Sequence, residues 1–321
     1  MSFLQTNPNG RFYGKQVLVT GAAGFIGSHV ARALLAEGCS VLGCVRPKGD
    51  NERLRDVHGD LNIFPLDLGS FDAKELLGLK FKPEWIFHLG AYGVGAGQND
   101  PELMTAVNVR GTRELLEYAQ AIRVERFIHC GSCFEYSSGV MLTEDVVPRP
   151  ISEYGASKVI AGELVQQFCR QKGLPAVTLR PFTVYGPGED CQRLVSSVIH
   201  AVLSRTSLKL TSGEQTRDFV FIDDVVAAFL AAAVEQGVIA ETFNVAAGVE
   251  TSVKTIVLKI MDLMGSKFVP EFGVLPHRPS EYRRLSGDPA KAAAQLHWRA
   301  STSLEDGLRA TIAWISAQEK Y

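Results

Sequence analysis

Short apolar runs alternate with helical patterns through the first half of the chain, and this alternation constrains the fold most. The runs are almost entirely apolar and lie at 16–20, 40–45, 62–66, 83–89, 126–130 and 176–180. The main helical patterns between them lie at 25–37, 101–122 and 153–172. Apolar strands separated by helices form parallel sheets that are covered on both faces. The sequence therefore predicts an α/β fold with a doubly wound parallel sheet.

The alternation weakens after Pro181. A loop rich in Gly and Pro at 185–190 opens a mixed region, and the tail from about 250 is mostly helical. We expect F-V-F-I at 219–222 and the helix that follows it to return to the main sheet. The predicted organisation is a nucleotide-binding domain over 1–182, with return segments near 218–248. A smaller, discontinuous C-terminal lobe, formed mostly by 183–321, is expected to bind substrate.

Composition excludes two classes of partner. The 321 residues carry a formal net charge of −2, so we expect no nucleic acid partner. The richest apolar run, 225–234, is too short to span a membrane. The N-terminal residues lack a basic region followed by an apolar one, so we expect a short disordered lead-in and a cytoplasmic protein.

Cys130 and Cys133 form a C-x-x-C pattern. Such a pair can be half of a zinc site or a redox pair. Because no second C-x-x-C or His pair accompanies it, we interpret the two as ordinary thiols and expect no metal.

A glycine-rich turn follows the first strand. In V-T-G-A-A-G-F-I-G, Gly21 permits a tight turn, Gly24 lets the backbone approach a pyrophosphate, and Gly27 allows close packing of the helix. The helix that begins there presents unpaired N–H groups to phosphates. This context predicts a Rossmann-type sheet that binds a dinucleotide.

The motifs together resemble the extended branch of the short-chain dehydrogenase/reductase family, whose members act on nucleotide sugars. The matching blocks run in the family's order and are T-G-A-A-G-F-I-G (20–27), L-D-L (66–68), H-L-G-A (88–91), N-V-R-G-T (108–112), G-S-C-F-E-Y (131–136), Y-G-A-S-K (154–158), R-P-F-T-V-Y-G-P (180–187), R-D-F-V-F-I-D-D (217–224) and F-N-V-A-A-G (243–248). They cover nearly the whole chain. Within the family, the details resemble those of 4-keto-6-deoxy-sugar reductases most.

The resemblance implies a set of cofactor-binding residues. Asp67 and Leu68 would flank the adenine, and Asn108 and the turn from Leu89 to Ala91 would line the cofactor. The full set is Gly21, Gly24, Phe25, Ile26, Gly27, Arg46, Asp67, Leu68, Leu89, Ala91, Asn108, Tyr154, Lys158 and Pro181.

Arg46 bears on the choice of cofactor. Enzymes that use NAD place Asp or Glu at the end of the second strand to bind the ribose 2′-hydroxyl. This chain has Val45 there, followed by Arg46, with Lys48 nearby. A guanidinium attracts a 2′-phosphate and can bind it with two hydrogen bonds. We therefore favour NADP(H), with NAD(H) as the alternative.

Tyr154 and Lys158 are four residues apart, so they share one face of the predicted helix. The ammonium group favours the phenolate and so makes Tyr154 a better acid and base near neutral pH. Ser132 occupies the position of the family's catalytic hydroxyl, which holds the substrate oxygen. The resemblance thus implies a catalytic set of Ser132, Tyr154 and Lys158.

Cys133 and Phe134 discriminate between reactions. The family's 4,6-dehydratases carry Asp and Glu at these positions, because loss of water needs both an acid and a base. Glu135 is one residue out of register, and in an extended segment it would point to the other face. Dehydration and decarboxylation are therefore disfavoured, and simple reduction and epimerisation remain.

Two arginines are candidates for binding the substrate diphosphate. Arg217 and Arg278 match the family's diphosphate-binding positions, and guanidinium groups suit phosphate oxygens. Thr183 stands where the family commonly has Asn. Cys133 and Phe134 complete the predicted substrate-binding set. The nucleotide base stays open among GDP, dTDP, UDP and CDP.

Three functions are compatible with these motifs. The leading hypothesis is NADPH-dependent reduction of a nucleotide-linked 4-keto (6-deoxy) sugar, with Tyr154 as general acid. The alternative is an NAD(P)-dependent nucleotide-sugar epimerase that works through a transient ketone. The third is a non-catalytic cofactor-binding protein on the same fold.

The helices at 101–122 and 153–172 also predict a homodimer. Relatives pair these helices into a four-helix bundle across a two-fold axis. The apolar residues on them exceed one narrow core stripe, and they are Leu103, Val107, Leu115, Leu116, Val159, Ile160, Leu164, Val165 and Phe168.

Overall fold

The computed structural model describes residues 10–95, 97–267, 269–276 and 282–318. The expected N-terminal lead-in therefore lies largely outside the described residues. The strands are β1 Gln16–Thr20, β2 Ser40–Val45, β3 Asn62–Pro65, β4 Trp85–His88, β5 Arg126–Cys130, β6 Gly139–Leu142, β7 Ala176–Pro181, β8 Thr183–Tyr185, β9 Thr216–Phe221, β10 Thr242–Val245, β11 Glu250–Ser252 and β12 Arg284–Gly287. The α-helices are α1 Phe25–Ala36, α2 Ala73–Leu77, α3 Pro101–Thr105, α4 Gly111–Ile122, α5 Glu153–Lys172, α6 Leu194–Ser204, α7 Ile222–Val234, α8 Val253–Leu263, α9 Ala290–Gln295 and α10 Leu304–Gln318.

A seven-stranded sheet in the order β10-β7-β5-β4-β1-β2-β3 forms the centre of the molecule. Every neighbouring pair in it is parallel. The strand order reverses at β1, so the chain runs outward in both directions from the glycine turn. The predicted α/β fold with a doubly wound parallel sheet is confirmed.

Helices cover both faces of this sheet, as the apolar strands require. Val17 and Val19 of β1 belong to one buried cluster, together with Val30 of α1 and Phe229 of α7. Leu18, which points the other way, lies in a second cluster with side chains of α4 and α5. Within the described part of the chain, no helix is long and apolar enough to cross a membrane.

A second, smaller sheet has the order β11-β9-β12-β6, and β8 pairs with β9. The expected return of 219–222 to the main sheet is wrong, because these residues lie mostly in β9. The main-sheet edge next to β7 is filled instead by β10, which pairs in parallel with it. The helix after β9, α7, does return to the main sheet, where it packs against α1.

The predicted helix at 101–122 is interrupted. A π-helical turn, Ala106–Arg110, separates α3 from α4. The Asp100 carboxylate caps the start of α3, and Arg123 ends α4 in the left-handed conformation with φ 56°. By contrast, α5 is one uninterrupted helix as predicted, from its cap at Ser152 to the left-handed Gly173.

Candidate active site

The glycine turn is built by close backbone contacts. Gly21 has φ +66°, and a Cβ atom on it would lie 2.7 Å from the Gly90 backbone after β4. A Cβ atom on Gly27 would lie 2.0 Å from the Gly21 carbonyl oxygen. Only glycine fits these positions, so α1 starts directly against the turn. No side-chain hydrogen bond caps α1 at Gly24, which leaves its first N–H groups available to a phosphate.

The other predicted cofactor residues follow strand ends at this same edge. Arg46 is exposed just after β2, and the Asp67 carboxylate, after β3, accepts the N–H of Gly69 at 2.9 Å. Leu89 and Ala91 follow β4, and the remaining members are Phe25, Ile26, Leu68 and Pro181. Carboxyl ends of parallel strands on either side of a strand-order reversal form a ligand crevice. These residues fit a dinucleotide laid across β1.

Asn108 lies in the π-helical turn and is almost fully buried. Its amide both donates to the carbonyl oxygen of Tyr92 and accepts the Tyr92 N–H, each at 2.8 Å. It also donates to the Ser157 hydroxyl at 2.9 Å, which in turn donates to the Tyr154 carbonyl oxygen. Asn108 therefore fastens the loop after β4 to the helix that carries Tyr154, a role that sequence reasoning missed.

Ser132, Tyr154 and Lys158 lie together at the carboxyl edge of β5. Ser132 caps a 3-10 turn, Cys133–Glu135, and its hydroxyl accepts the N–H of Phe134 at 3.2 Å. Tyr154 is the second residue of α5, and the Ser132 side chain acts to lower the pKa of its hydroxyl. Lys158 follows one turn later on the same helical face. The three predicted catalytic residues are thus neighbours in the fold.

Burial shifts both titratable members of this group toward their neutral forms. It raises the pKa of Tyr154, and the Ser132 side chain opposes that shift. Burial also lowers the pKa of Lys158, against the attraction of Cys130 and Glu135. The half-buried phenol therefore favours its neutral form, and positive charge beside it would favour the phenolate.

Two buried histidines lie beneath Lys158. His88 of β4 and His129 of β5 are in register, with ring centroids 5.6 Å apart. Burial, followed by repulsion from Lys158, lowers the pKa of His88 to about 3. The same two causes hold the pKa of His129 well below its ordinary value. Both rings are therefore neutral near neutral pH, so neither adds positive charge near Tyr154.

Cys133 and Phe134 are unsuited to proton transfer. Cys133 is buried, and burial raises the pKa of its thiol to about 12. The Phe134 ring packs edge-on against Tyr154, with centroids 6.2 Å apart, and also against Tyr282 at 5.1 Å. The site thus lacks an acid and base pair at the two positions that dehydratases use.

Glu135 departs from its expected orientation. The segment is a 3-10 turn rather than an extended strand, so the carboxylate turns inward and is fully buried. It accepts the Ser132 N–H at 2.8 Å and the Arg180 Nε at 2.7 Å. The Ser-x-x-Glu spacing of a capping box is the sequence signal that could have indicated this arrangement.

The predicted substrate residues lie on the second sheet and the adjoining turn. Arg217 of β9 donates to the carbonyl oxygens of Thr216 and Tyr282, both at 2.7 Å, and its charge acts on the Cys133 thiol. Thr183 begins β8, which pairs with β9. Arg217 and Cys133 therefore face the same region, whereas Arg278 lies outside the described residues.

Comparisons with known proteins agree with this geometry. The model of the NAD dependent epimerase/dehydratase family matches residues 17–246. A UDP-glucose 4-epimerase from Mycolicibacterium smegmatis is 34% identical over 311 residues, which cover 94% of this chain and 98% of that protein. The chain belongs to this family. As its motifs predict, it is a nucleotide-sugar enzyme of the extended short-chain dehydrogenase/reductase type that uses a nicotinamide dinucleotide.

Solved structures give the same result. A UDP-glucose 4-epimerase from Thermotoga maritima, determined with UDP-glucose, has a TM-score of 0.87 at 29% identity and covers 95% of this chain and 99% of its own. A UDP-glucuronic acid 4-epimerase from Bacillus cereus, in complex with UDP-glucuronic acid and NAD, has a TM-score of 0.83 at 28% identity, with coverage of 94% and 99%. These relatives support the epimerase alternative better than the 4-keto reductase.

Proposed function

We propose that the protein is a nucleotide-sugar epimerase that inverts the 4-hydroxyl of a UDP-linked sugar through a transient 4-ketone. One observation carries the proposal: Tyr154 stands one helical turn from Lys158 on α5, next to the Ser132 turn, at the edge that also holds the glycine turn. The UDP-sugar 4-epimerases among its relatives support the substrate class.

Each member of the catalytic set has a separate role. Tyr154 takes the proton of the sugar 4-hydroxyl and later returns it, while Ser132 holds the same oxygen. Lys158, kept close by the shared helical face, stabilises the phenolate. When bound, the nicotinamide supplies hydride exchange with a carbon of the sugar. Removal of water from that sugar is disfavoured because Cys133 and Phe134 cannot act as an acid and base pair.

The second sheet supplies the substrate side of the site. Arg217 carries positive charge at the region of Cys133, where a diphosphate can be bound by a guanidinium. We also propose Thr183, Cys133 and Phe134 as walls around the sugar, and Arg278 as a second diphosphate ligand. In this proposal residues 1–182, with the segments near 218–248, bind cofactor, and most of 183–321 binds substrate.

The cofactor preference depends on Arg46. This side chain is exposed at the end of β2, in the position that faces the adenosine ribose in a Rossmann-type fold. It favours NADP(H) over NAD(H), and it is the observation that keeps the NADPH-dependent 4-keto-sugar reductase as a second candidate. An epimerase oxidises and then reduces the same sugar, so it needs no free cofactor. A reductase consumes free NADPH.

One experiment separates the two candidates. The protein is purified, its bound nucleotide is released and identified, and UDP-glucose, UDP-galactose, UDP-glucuronate and UDP-N-acetylglucosamine are each offered without added cofactor. An epimerase equilibrates a 4-epimer pair with no net change in nicotinamide absorbance. Stoichiometric oxidation of NADPH by a 4-keto sugar, with no epimer formed, would instead establish the reductase. Cofactor binding without either activity would revive the non-catalytic reading.

We also propose a homodimer through a four-helix bundle formed by the segment 101–122, which holds α3 and α4, and by α5. Leu103 and Ile160 on these helices are exposed by 40% and 50%, while Leu115, Leu116 and Val165 are fully buried in the chain's own core. The leftover apolar surface supports a partner copy. A cytoplasmic location is proposed as well, and the free thiols of all six cysteines are in keeping with a reducing compartment.

A further inference from the structure

A buried ion pair supports the turn that carries Ser132. One carboxylate oxygen of Glu135 accepts the Ser132 N–H at 2.8 Å, and the other accepts the Arg180 Nε at 2.7 Å. The Glu135 side chain is fully buried and that of Arg180 is only 11% exposed. The carboxylate therefore links the turn directly to β7, with a different donor on each oxygen.

The pair continues into a longer network. Arg180 donates through Nη1 to the Tyr136 hydroxyl, which donates to the Asn244 side chain, each at 2.9 Å. Asn244, on β10, donates to the Leu142 carbonyl oxygen at 2.7 Å. These contacts join the main sheet to β6 of the second sheet, so the turn is held from both sides.

The carboxylate also lies against the catalytic helix. A Cβ atom on Gly162 would lie 3.8 Å from Glu135 Oε2. Gly162 follows Lys158 by four residues and Tyr154 by eight, so all three share one face of α5. A helix rises about 1.5 Å per residue, which puts Lys158 midway between the other two. Glu135 therefore places its charge against the face of α5 that carries Lys158 and Tyr154.

Arg180 offsets that charge. Burial raises the pKa of Glu135, and the attraction of Arg180 is the largest effect that opposes it. A buried carboxylate without its partner is costly, and in a medium of low polarity its field reaches neighbouring groups. Within the described residues, Glu135 is also among the groups that disfavour ionisation of Tyr154.

We propose that Glu135 and Arg180 form a positioning pair for the reaction. The carboxylate fixes the Ser132 turn, and the guanidinium cancels the negative charge that the carboxylate would otherwise place against the face of α5 that carries Tyr154. The inference rests on the proposed chemistry of Tyr154, and it assigns neither member a contact with substrate.

Several other groups face Tyr154 or its neighbours and are left unchanged in the test. Cys130 and the neutral His129 lie on β5, Cys133 on the turn, and the neutral His88 on β4. The other charges that act there are that of Lys158 on the same helix and, on Cys133, those of Arg217, Asp218 and Arg193. Substitutions at Glu135 and Arg180 therefore alter one defined charge at a time.

The test is the pH profile of kcat for epimerisation in the wild type, Glu135→Gln, Arg180→Met and the double variant. The glutamine oxygen can still accept the Ser132 N–H, so Glu135→Gln removes the negative charge and the hydrogen bond from Arg180 but keeps the bond to the turn. We expect its profile to move to lower pH, and that of Arg180→Met to higher pH, each by about half a unit or more. The double variant should return to the wild-type position. Shifts in the same direction, or none in either single variant, would overturn the proposal.

Folding and function are controlled separately. If a single variant does not fold, the double variant and Arg180→Lys replace it, because neither leaves an unpaired charge. Both must keep the pH profile of the wild type. A shifted pH profile in either one would overturn the proposal. Wild-type protein that epimerises no sugar contradicts the proposed function instead. In that case the pKa of Tyr154 is measured directly from tyrosinate absorbance, as the difference between each variant and its Tyr154→Phe counterpart. This pKa must be lower in Glu135→Gln and higher in Arg180→Met than in the wild type.

Discussion

The Nε2 atom of His29 lies 2.9 Å from the carbonyl oxygen of Pro187, although 158 residues separate them. A second bond of the same kind runs from Arg53 Nε to the Gly188 carbonyl oxygen at 2.8 Å. His29 lies on α1, the helix that starts at the glycine turn, and Arg53 follows β2. The loop after β8 is thus fastened to both elements that flank the cofactor crevice.

His29 should make the fold sensitive to acid. Burial lowers the pKa of His29 to about 4, below the ordinary value of 6.5. The unfolded chain therefore binds the extra proton first, and stability falls as the pH drops from about 6.5 toward 4. Between about pH 7.5 and pH 5 this residue removes about 2 kcal/mol from the free energy of unfolding.

The variant His29→Gln isolates this contribution, because glutamine can still donate to Pro187 but does not titrate. Urea unfolding at pH 7.5 and pH 5 gives the free energy of unfolding of each protein. His58→Gln, at an exposed position, is the matched control. The wild type and the control should lose more stability than His29→Gln. Equal losses in all three proteins would contradict the prediction.

Tyr154→Phe should lower kcat at least about 100-fold, because the ring stays while the proton carrier is lost. Cofactor content should stay close to that of the wild type, since the glycine turn is untouched. Turnover and released nucleotide are measured on the same preparation. Tyr13→Phe, at a side chain that is 55% exposed, is the control and should remain active. Full activity in Tyr154→Phe would reject the assignment.

Arg46→Asp should shift binding from NADPH toward NADH. The change removes an attraction for the 2′-phosphate and adds a repulsion. Together these should lower the affinity for NADPH relative to NADH by about tenfold to a hundredfold. Fluorescence titration of cofactor-depleted protein with both dinucleotides gives the ratio. The exposed Arg309 of α10 supplies the control variant, Arg309→Asp. If the wild type binds both dinucleotides equally, Arg46 does not contact the 2′-position.

Ile160→Glu should dissociate the proposed dimer. The substitution places a carboxylate in the middle of the exposed apolar face of α5, where a partner copy would have to bury it. Light scattering at micromolar concentration should give the mass of two 35.0 kDa chains for the wild type and of one for the variant. Ile239→Glu, at a similarly exposed isoleucine, should stay dimeric. A wild-type mass of a single chain would contradict the proposed dimer.

Local patterns in the sequence were enough to predict every strand of the main sheet except β10. The apolar runs of β1, β2, β5 and β7 and the uninterrupted helix α5 follow from their own residues and from those next to them. The four-residue spacing put Tyr154 and Lys158 on one helical face, and the family resemblance added Ser132 to them.

Features that depend on distant contacts could not be predicted in this way. The sequence predicted that the residues of β9 return to the main sheet. That prediction was wrong because β10, a separate segment, fills the main-sheet edge. The Ser-x-x-Glu spacing indicates the inward turn of Glu135, but not its partner Arg180, which is 45 residues away. The pairing of His88 with His129 follows from strand register, which no single strand encodes.

The π-helical turn at Ala106–Arg110 accommodates an extra residue between α3 and α4. A π turn holds more residues than an α turn, so a uniform α-helix over this stretch would have a residue to spare. Deleting one residue there would let α3 run straight into α4, but it would remove the wide turn that carries Asn108. Asn108 could then no longer reach both Tyr92 and Ser157. The number of residues in this stretch is thus as strictly constrained as the identity of Asn108.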